Sequence, residues 1–236
     1  QETPVFKKMR ESKALAKFPL EEVVKTSRFG IWISMFITWV LTGCIVVFIL
    51  LMPGFVGGVL GFSPFETTYF QMGGLVCIVS SCWLTGRLAD KHNPSTLCIL
   101  FSAGFAVSSV AFFSLLYTAA PVVSEVVLAY FATCFFAGIM NFCPIFMCDV
   151  FPARIRFSGI SFAYNIAYAL SGAFTPQLSF ALHAYAKTHP DTLGAMGLSA
   201  YIVFLALVSI GTALAMRRVY KNGGAAVSQM EFRPAP

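Results

Sequence analysis

At 236 residues, 58% hydrophobic and only 11% charged, with a mean hydropathy of +0.78, the chain has less than half the ~25% charge of a soluble domain. That balance excludes a soluble domain and marks an integral membrane protein. The formal charge of +6 does not point to nucleic acid, because the basic residues sit in a lead-in and in short connections between apolar spans.

The chain starts at Gln1 with no charged n-region and no following apolar h-region. It therefore reads as a piece of a longer protein and not as a secreted precursor. Residues 1–28 are polar and basic, with Lys7, Lys8, Arg10, Lys13 and Lys17 ahead of Pro19-Leu20-Glu21-Glu22-Val23-Val24. This stretch fits a short amphipathic helix on the membrane surface, and equally a solvated linker held near lipid by its charge.

Six apolar spans follow, at about 29–52, 67–86, 96–118, 122–148, 157–186 and 195–217, each near the ~20 residues that cross a hydrocarbon core. The first connection, PGFVGGVLGFSPFE, has no Lys or Arg. Arg87 and Lys91 mark the second, nothing basic the third, Arg154 and Arg156 the fourth, Lys187 the fifth, and Arg217, Arg218 and Lys221 open the tail. Of the 16 Lys and Arg, all but Lys187 fall on one side. The alternation predicts both termini on the cytoplasmic side of the inner membrane. It gives a basic linker over 1–28, a six-helix transmembrane domain over 29–218 and a cytoplasmic tail over 219–236.

The second span places Thr67, Gln71, Gly74, Ile78, Ser81 and Thr85 on one helical face, and the first repeats hydroxyls at Ser34, Thr38 and Thr42 beside Trp39. In the fourth, Asn141 stands three residues before Pro144, which bends a helix and frees a carbonyl. Small and hydroxyl residues also serve helix packing, so each feature has two readings. The fifth span carries Ser158, Ser161, Asn165, Tyr168, Gly172 and Thr175 at steps of three and four, with Tyr164 beside them. Lipid cannot satisfy such a polar stripe, so it must face protein or water. The candidates for a substrate cavity are Asn165, Tyr168, Ser161, Tyr164, Asn141, Gln71, Thr38 and Trp39.

No Asp, Glu, Lys or Arg lies mid-span, so a titrating group for proton movement is expected outside this chain. The seven cysteines form no CxxC pair and read as reduced packing residues. His183 and His189 are six apart and do not share a helix face. No GxSxG elbow, HExxH or paired intramembrane carboxylate is present. No catalytic residue, metal site or cofactor is expected.

Two motifs carry a family resemblance. Gly86-Arg87-Leu88-Ala89-Asp90-Lys91-His92 is similar to the G-x-x-x-D-[RK]-x-G-[RK]-[RK] loop of the major facilitator superfamily, with Asn93-Pro94-Ser95 in place of the Gly and the basic pair. Asp149-x-Phe151-Pro152-x-Arg154-x-Arg156-Phe157-Ser158-Gly159 resembles that superfamily's E-x-F-P-x-x-x-R-x-x-G region, Asp standing for Glu. With Tyr164-Asn165 and Glu2-Thr3-Pro4-Val5-Phe6, it looks most like the metabolite:proton symporter family. The resemblance covers the whole chain as a central loop plus helices seven to twelve.

It implies an all-α membrane protein forming one half of a twelve-helix bundle. The implied activity is proton-coupled symport of a small organic solute (a carboxylate, betaine or amino-acid-like compound) by alternating access, with an N-terminal six-helix half as partner. It further implies that Asp90, Arg87, Asp149, Arg154 and Arg156 latch the cytoplasmic ends of the halves. The alternative is a self-contained six-helix protein acting as a homodimeric pore or assembly factor.

Overall fold

The computed structural model describes residues 19–118, 120–189 and 192–221. The basic run at 7–17, the Glu2–Phe6 motif and the tail beyond 221 lie outside the described residues. All regular structure among the described residues is helical: α1 (Pro19–Thr26), α2 (Arg28–Leu60), α3 (Pro64–Ala89), α4 (Pro94–Leu116), α5 (Val123–Val150), α6 (Ala153–Thr188) and α7 (Thr192–Lys221).

The six expected spans are the rods α2 to α7. Five of them are long and apolar enough to cross a membrane, α7 from Met196 onward. The remaining rod, α6, has 36 residues, ample length to cross, but its polar residues dilute its hydropathy.

Helix α4 ends at Leu116, two residues short of its expected end, whereas most rods outrun their expected limits, most of all α2. Its first helical segment ends at Cys44, a π-helical stretch spans Ile45–Leu51, and a second α segment runs Met52–Leu60. The Pro-Gly stretch read as a connection is therefore helix. Pro53 sits in the first turn of the new segment, where a proline needs no N–H partner. The rod stops at Gly61, whose φ of 70° is a left-handed conformation open to glycine. A capping box then starts α3: Ser63 N–H donates to Glu66 Oε2 at 2.7 Å, and Glu66 N–H donates to Ser63 Oγ at 3.3 Å. Asn93 starts α4, its side-chain oxygen accepting from Ser95 N–H at 2.9 Å. The departure from the family loop thus doubles as a helix cap.

In the bundle, α2 packs on α5, α6 and α7; α5 packs on α3 and α4; and α4 pairs lengthwise with α7. Two apolar clusters fill it. The larger contains Phe48, Phe105, Phe112, Phe113 and Tyr130, and the second, toward the basic end, contains Ile37, Phe142, Phe146 and Met216. Small residues set the closest approaches. A Cβ on Gly138 of α5 would collide with Ser81 of α3, and one on Gly74 would stand 2.6 Å from the Tyr130 ring. Helix α1 docks on the protein through Val23, fully buried against Phe151 and Ile155, while Leu20 and Val24 stay exposed.

Candidate functional site

The interruption in α2 exposes backbone carbonyls that other helices must satisfy. Pro53 has no N–H, so the Ile49 carbonyl one turn earlier lacks its helical donor. Gln71 of α3 supplies one, Nε2 to Ile49 O at 2.8 Å. The Met52 N–H reaches back to Val47 O in the π pattern, which leaves Phe48 O open. The Tyr130 hydroxyl of α5 donates to it at 2.9 Å.

In α5, Pro144 is preceded by a 3₁₀ turn over Ala137–Asn141. Asn141 Nδ2 lies 3.2 Å from both Cys82 O and Thr85 Oγ1 of α3. Gln71 and Asn141 are thus interhelical ties built around broken helices.

The hydroxyl row of α2 is interior. Ser34, Thr38 and Thr42 are all buried, and Thr38 Oγ1 lies 3.7 Å from Cys143 Sγ. Trp39 is half-buried, its indole N–H donating to Tyr201 Oη of α7 at 3.3 Å. That hydroxyl also meets Thr175 Oγ1 of α6 at 2.7 Å. Tyr201 therefore joins three rods.

The face of α6 that packs on the bundle is a row of small residues, Gly159, Ala163, Ala167, Ser171, Thr175 and Ser179, all buried. Ser161 and Asn165 stand two residues beyond Gly159 and Ala163, about 200° around the helix, so they point away from the bundle's own core. Asn165 is exposed, with Nδ2 bonded to Ser161 O at 2.7 Å. Beside it the Tyr164 and Tyr168 rings stack at 5.5 Å, and Tyr168 is 42% exposed.

The six-residue polar stripe is thus divided. A row spaced by four drifts about 40° per step, and it crosses the stripe at Thr175, which is buried against Tyr201. The structure brings Ser161, Tyr164, Asn165 and Tyr168 together in one patch. Gln71, Thr38, Trp39 and Asn141 sit elsewhere, each bonded within the bundle.

At the basic end, each expected latch residue is placed separately. Arg154 forms an ion pair with Glu22 of α1. Arg156 Nε donates to Phe151 O at 3.1 Å. Asp149 accepts from the Tyr220 hydroxyl at 2.5 Å. The Arg87 guanidinium lies 4.2 Å over the Trp83 ring, and Asp90 is exposed at the end of α3.

At the opposite end, His183 Nδ1 meets Tyr117 Oη at 2.5 Å, and its ring stacks on Phe55 at 3.9 Å. His189 pairs instead with Thr188 and Tyr185. No group of three or more His, Cys, Asp or Glu able to hold a metal occurs among the described residues.

Tyr201, Tyr130 and Glu22 carried no sequence signal, since their partners lie far along the chain. Phe151 was visible only through its motif.

A bundle of long apolar rods, two of them broken near polar interhelical ties, is the build of a helical membrane transporter. The family model for the Major Facilitator Superfamily matches residues 2–176, and the chain belongs to that superfamily. No curated protein and no solved structure matches it significantly.

Proposed function

We propose that this chain is the C-terminal six-helix half of a secondary active transporter, which moves a small organic solute together with protons by alternating access. The observation that carries this reading is the patch of Ser161, Tyr164, Asn165 and Tyr168 on α6. Asn165 and Tyr168 are exposed, while Ser161 and Tyr164 are half-buried, Tyr164 packing in part on the second apolar cluster. An amide and two phenols facing hydrocarbon would be costly, so their natural neighbours are water, solute and an opposing N-terminal half. Transporters of this build rock two such halves about a site near the midplane.

The solute class is a carboxylate, a betaine or an amino-acid-like compound, as the metabolite:proton symporter resemblance implies. No carboxylate lies mid-span in this chain, so the proton site belongs to the other half. The basic end faces the cytoplasm in this reading, following the distribution of Lys and Arg. There Asp90, Asp149, Arg154 and Arg156 engage the partner half in one conformer and release it in the other. Ion pairs partly shielded from water are strong enough to bias such an equilibrium yet weak enough to break.

The test is uptake by the complete protein in proteoliposomes, with radiolabelled carboxylates, betaines and amino acids under an inward proton gradient. Saturable uptake of one class, abolished when the gradient is collapsed, is the expected outcome. Saturable uptake by residues 1–236 alone would overturn the half-transporter reading.

A further inference from the structure

Helices α2 and α7 leave an open cleft of about 370 Å³ between them, within the size range of small-molecule sites (~300–1,000 Å³). Phe29, Trp32 and Phe36 form one wall, and Val208, Gly211 and Ala215 the other. The wall aromatics stand well out, Trp32 being 58% exposed, and Trp32 stacks on Phe36 at 5.8 Å. A Cβ on Gly211 would meet nothing within 4 Å, so that glycine opens the wall. The single hydroxyl in the lining, on Thr212, is spent on Val208 O at 2.7 Å.

Helix α6 closes on α7 toward the far end, where Thr175 meets Tyr201 and Gly197 meets Leu182. At the arginine-bearing end the cleft stays open. An apolar slot there, on the flank of a membrane bundle, is filled by hydrocarbon.

What distinguishes this slot from ordinary lipid-facing surface is the charge at its mouth. Arg28 stands one turn before Trp32 on the same face of α2, and Arg218 stands three residues after Ala215 on α7. The helices are antiparallel, so both arginines lie at the same end. Arg28, Arg217 and Arg218 are exposed, and among the described residues none of them takes part in an ion pair. The nearby acids have other partners: Glu21 holds Lys25, Glu22 holds Arg154, and Asp149 accepts from Tyr220.

We propose that the α2–α7 cleft is a binding site for an anionic phospholipid. One acyl chain lies in the slot over Gly211, and the phosphate is held at the mouth by Arg28 and Arg218. The chain alone gains little over bulk lipid, because tails are as apolar as the wall they meet. Retention therefore comes from guanidinium–phosphate hydrogen bonds, which are charge-assisted and suited to a fork of N–H donors. Basic pockets between helices on the cytoplasmic side attract anionic head groups for the same reason.

The experiment measures the melting temperature of the complete protein in detergent, titrated with dioleoyl phosphatidylglycerol, dioleoyl phosphatidylcholine, dihexanoyl phosphatidylglycerol or sodium phosphate. Native mass spectrometry of the same samples counts retained lipid. A ligand that binds only the folded state raises the melting temperature with dose, and the rise is expected for dioleoyl phosphatidylglycerol alone. The Arg28→Gln/Arg218→Gln double variant should lose both the rise and the retained lipid. The Cβ of Gly211→Phe would meet nothing within 4 Å, so the ring is expected to occupy the slot, and the variant should lose both while melting like the parent in detergent alone. Equal stabilisation by phosphatidylcholine, a rise with sodium phosphate or the short-chain lipid, or an undiminished rise in either variant would each overturn the proposal.

Discussion

Phe151 occupies the space that a side chain on Gly159 would need: a Cβ there would stand 2.7 Å from ring carbons Cδ1 and Cε1. One on Gly30 of α2 would stand 2.8 Å from the same ring. The fully buried phenyl group thus keys the α5–α6 turn between two rods, and it shares a cluster with Val23 of α1. Its carbonyl accepts from Arg156 Nε. The Phe-Pro turn therefore aims Arg154 and Arg156 by packing.

Gly159→Ala should destabilise the protein by about 1–3 kcal/mol through overpacking, and Phe151→Ala by about 3–5 kcal/mol through the cavity it leaves. Thermal denaturation of each variant measures this. The Gly159→Ala/Phe151→Leu pair should recover part of the loss, because the smaller side chain makes room for the methyl group. Additive losses would contradict the steric reading.

Gln71 is spent on the Ile49 carbonyl that Pro53 leaves open. Gln71→Leu should lower stability by up to about 1–3 kcal/mol, the cost of a partly buried acceptor left without a donor. It should leave apparent solute affinity in the complete transporter unchanged. A change in affinity at constant melting temperature would return Gln71 to the substrate path.

The Arg154–Glu22 pair is partly buried, with side-chain exposures of 33% and 21%. A double-mutant cycle with Glu22→Gln and Arg154→Gln should give a coupling of about 0.2–1 kcal/mol in melting experiments. That coupling should shrink as salt is raised. Zero coupling at low salt would show that α1 is held by Val23 alone.

Topology is open to direct labelling. In a cysteine-free background, Ala120→Cys should react with an impermeant thiol reagent from outside intact cells. His92→Cys, beside Lys91 at the basic end, should react only after permeabilisation. The reverse pattern would invert the orientation.

Much of the fold was legible because apolar length and the 3.6-residue period are properties of the sequence alone. The six rods, the buried face of Gly74, Ile78, Ser81 and Thr85, and the interior Ser34–Thr38–Thr42 row all follow from them. The continuation of α2 through Pro53 did not. A proline ends a helix when read locally, yet it also fits the first turn of the next segment once a π stretch has shifted the register. The packed face of α6 was also hidden. Gly159, Ala163 and Ala167 offer no hydropathy contrast, so the polar stripe beside them dominates the reading. Tyr201 was missed because its bonds to Trp39 and Thr175 bridge three rods, and one of those partners is 162 residues away. Of the eight proposed cavity residues, the four on α6 gather in a patch because they share one helix, where spacing alone fixes neighbours.

The claim that matters most is that the α6 patch borders a water-filled path for solute and not lipid. Asn165→Cys, placed in a cysteine-free version of the complete transporter in membranes, tests it with a hydrophilic methanethiosulfonate reagent. Thiolate forms in water and not in hydrocarbon, so a residue lining the path reacts and one facing lipid does not. Asn165→Cys should be modified, and Leu170→Cys, on another exposed flank of α6, should stay unmodified. An inert Asn165→Cys in a protein that still transports would contradict the account.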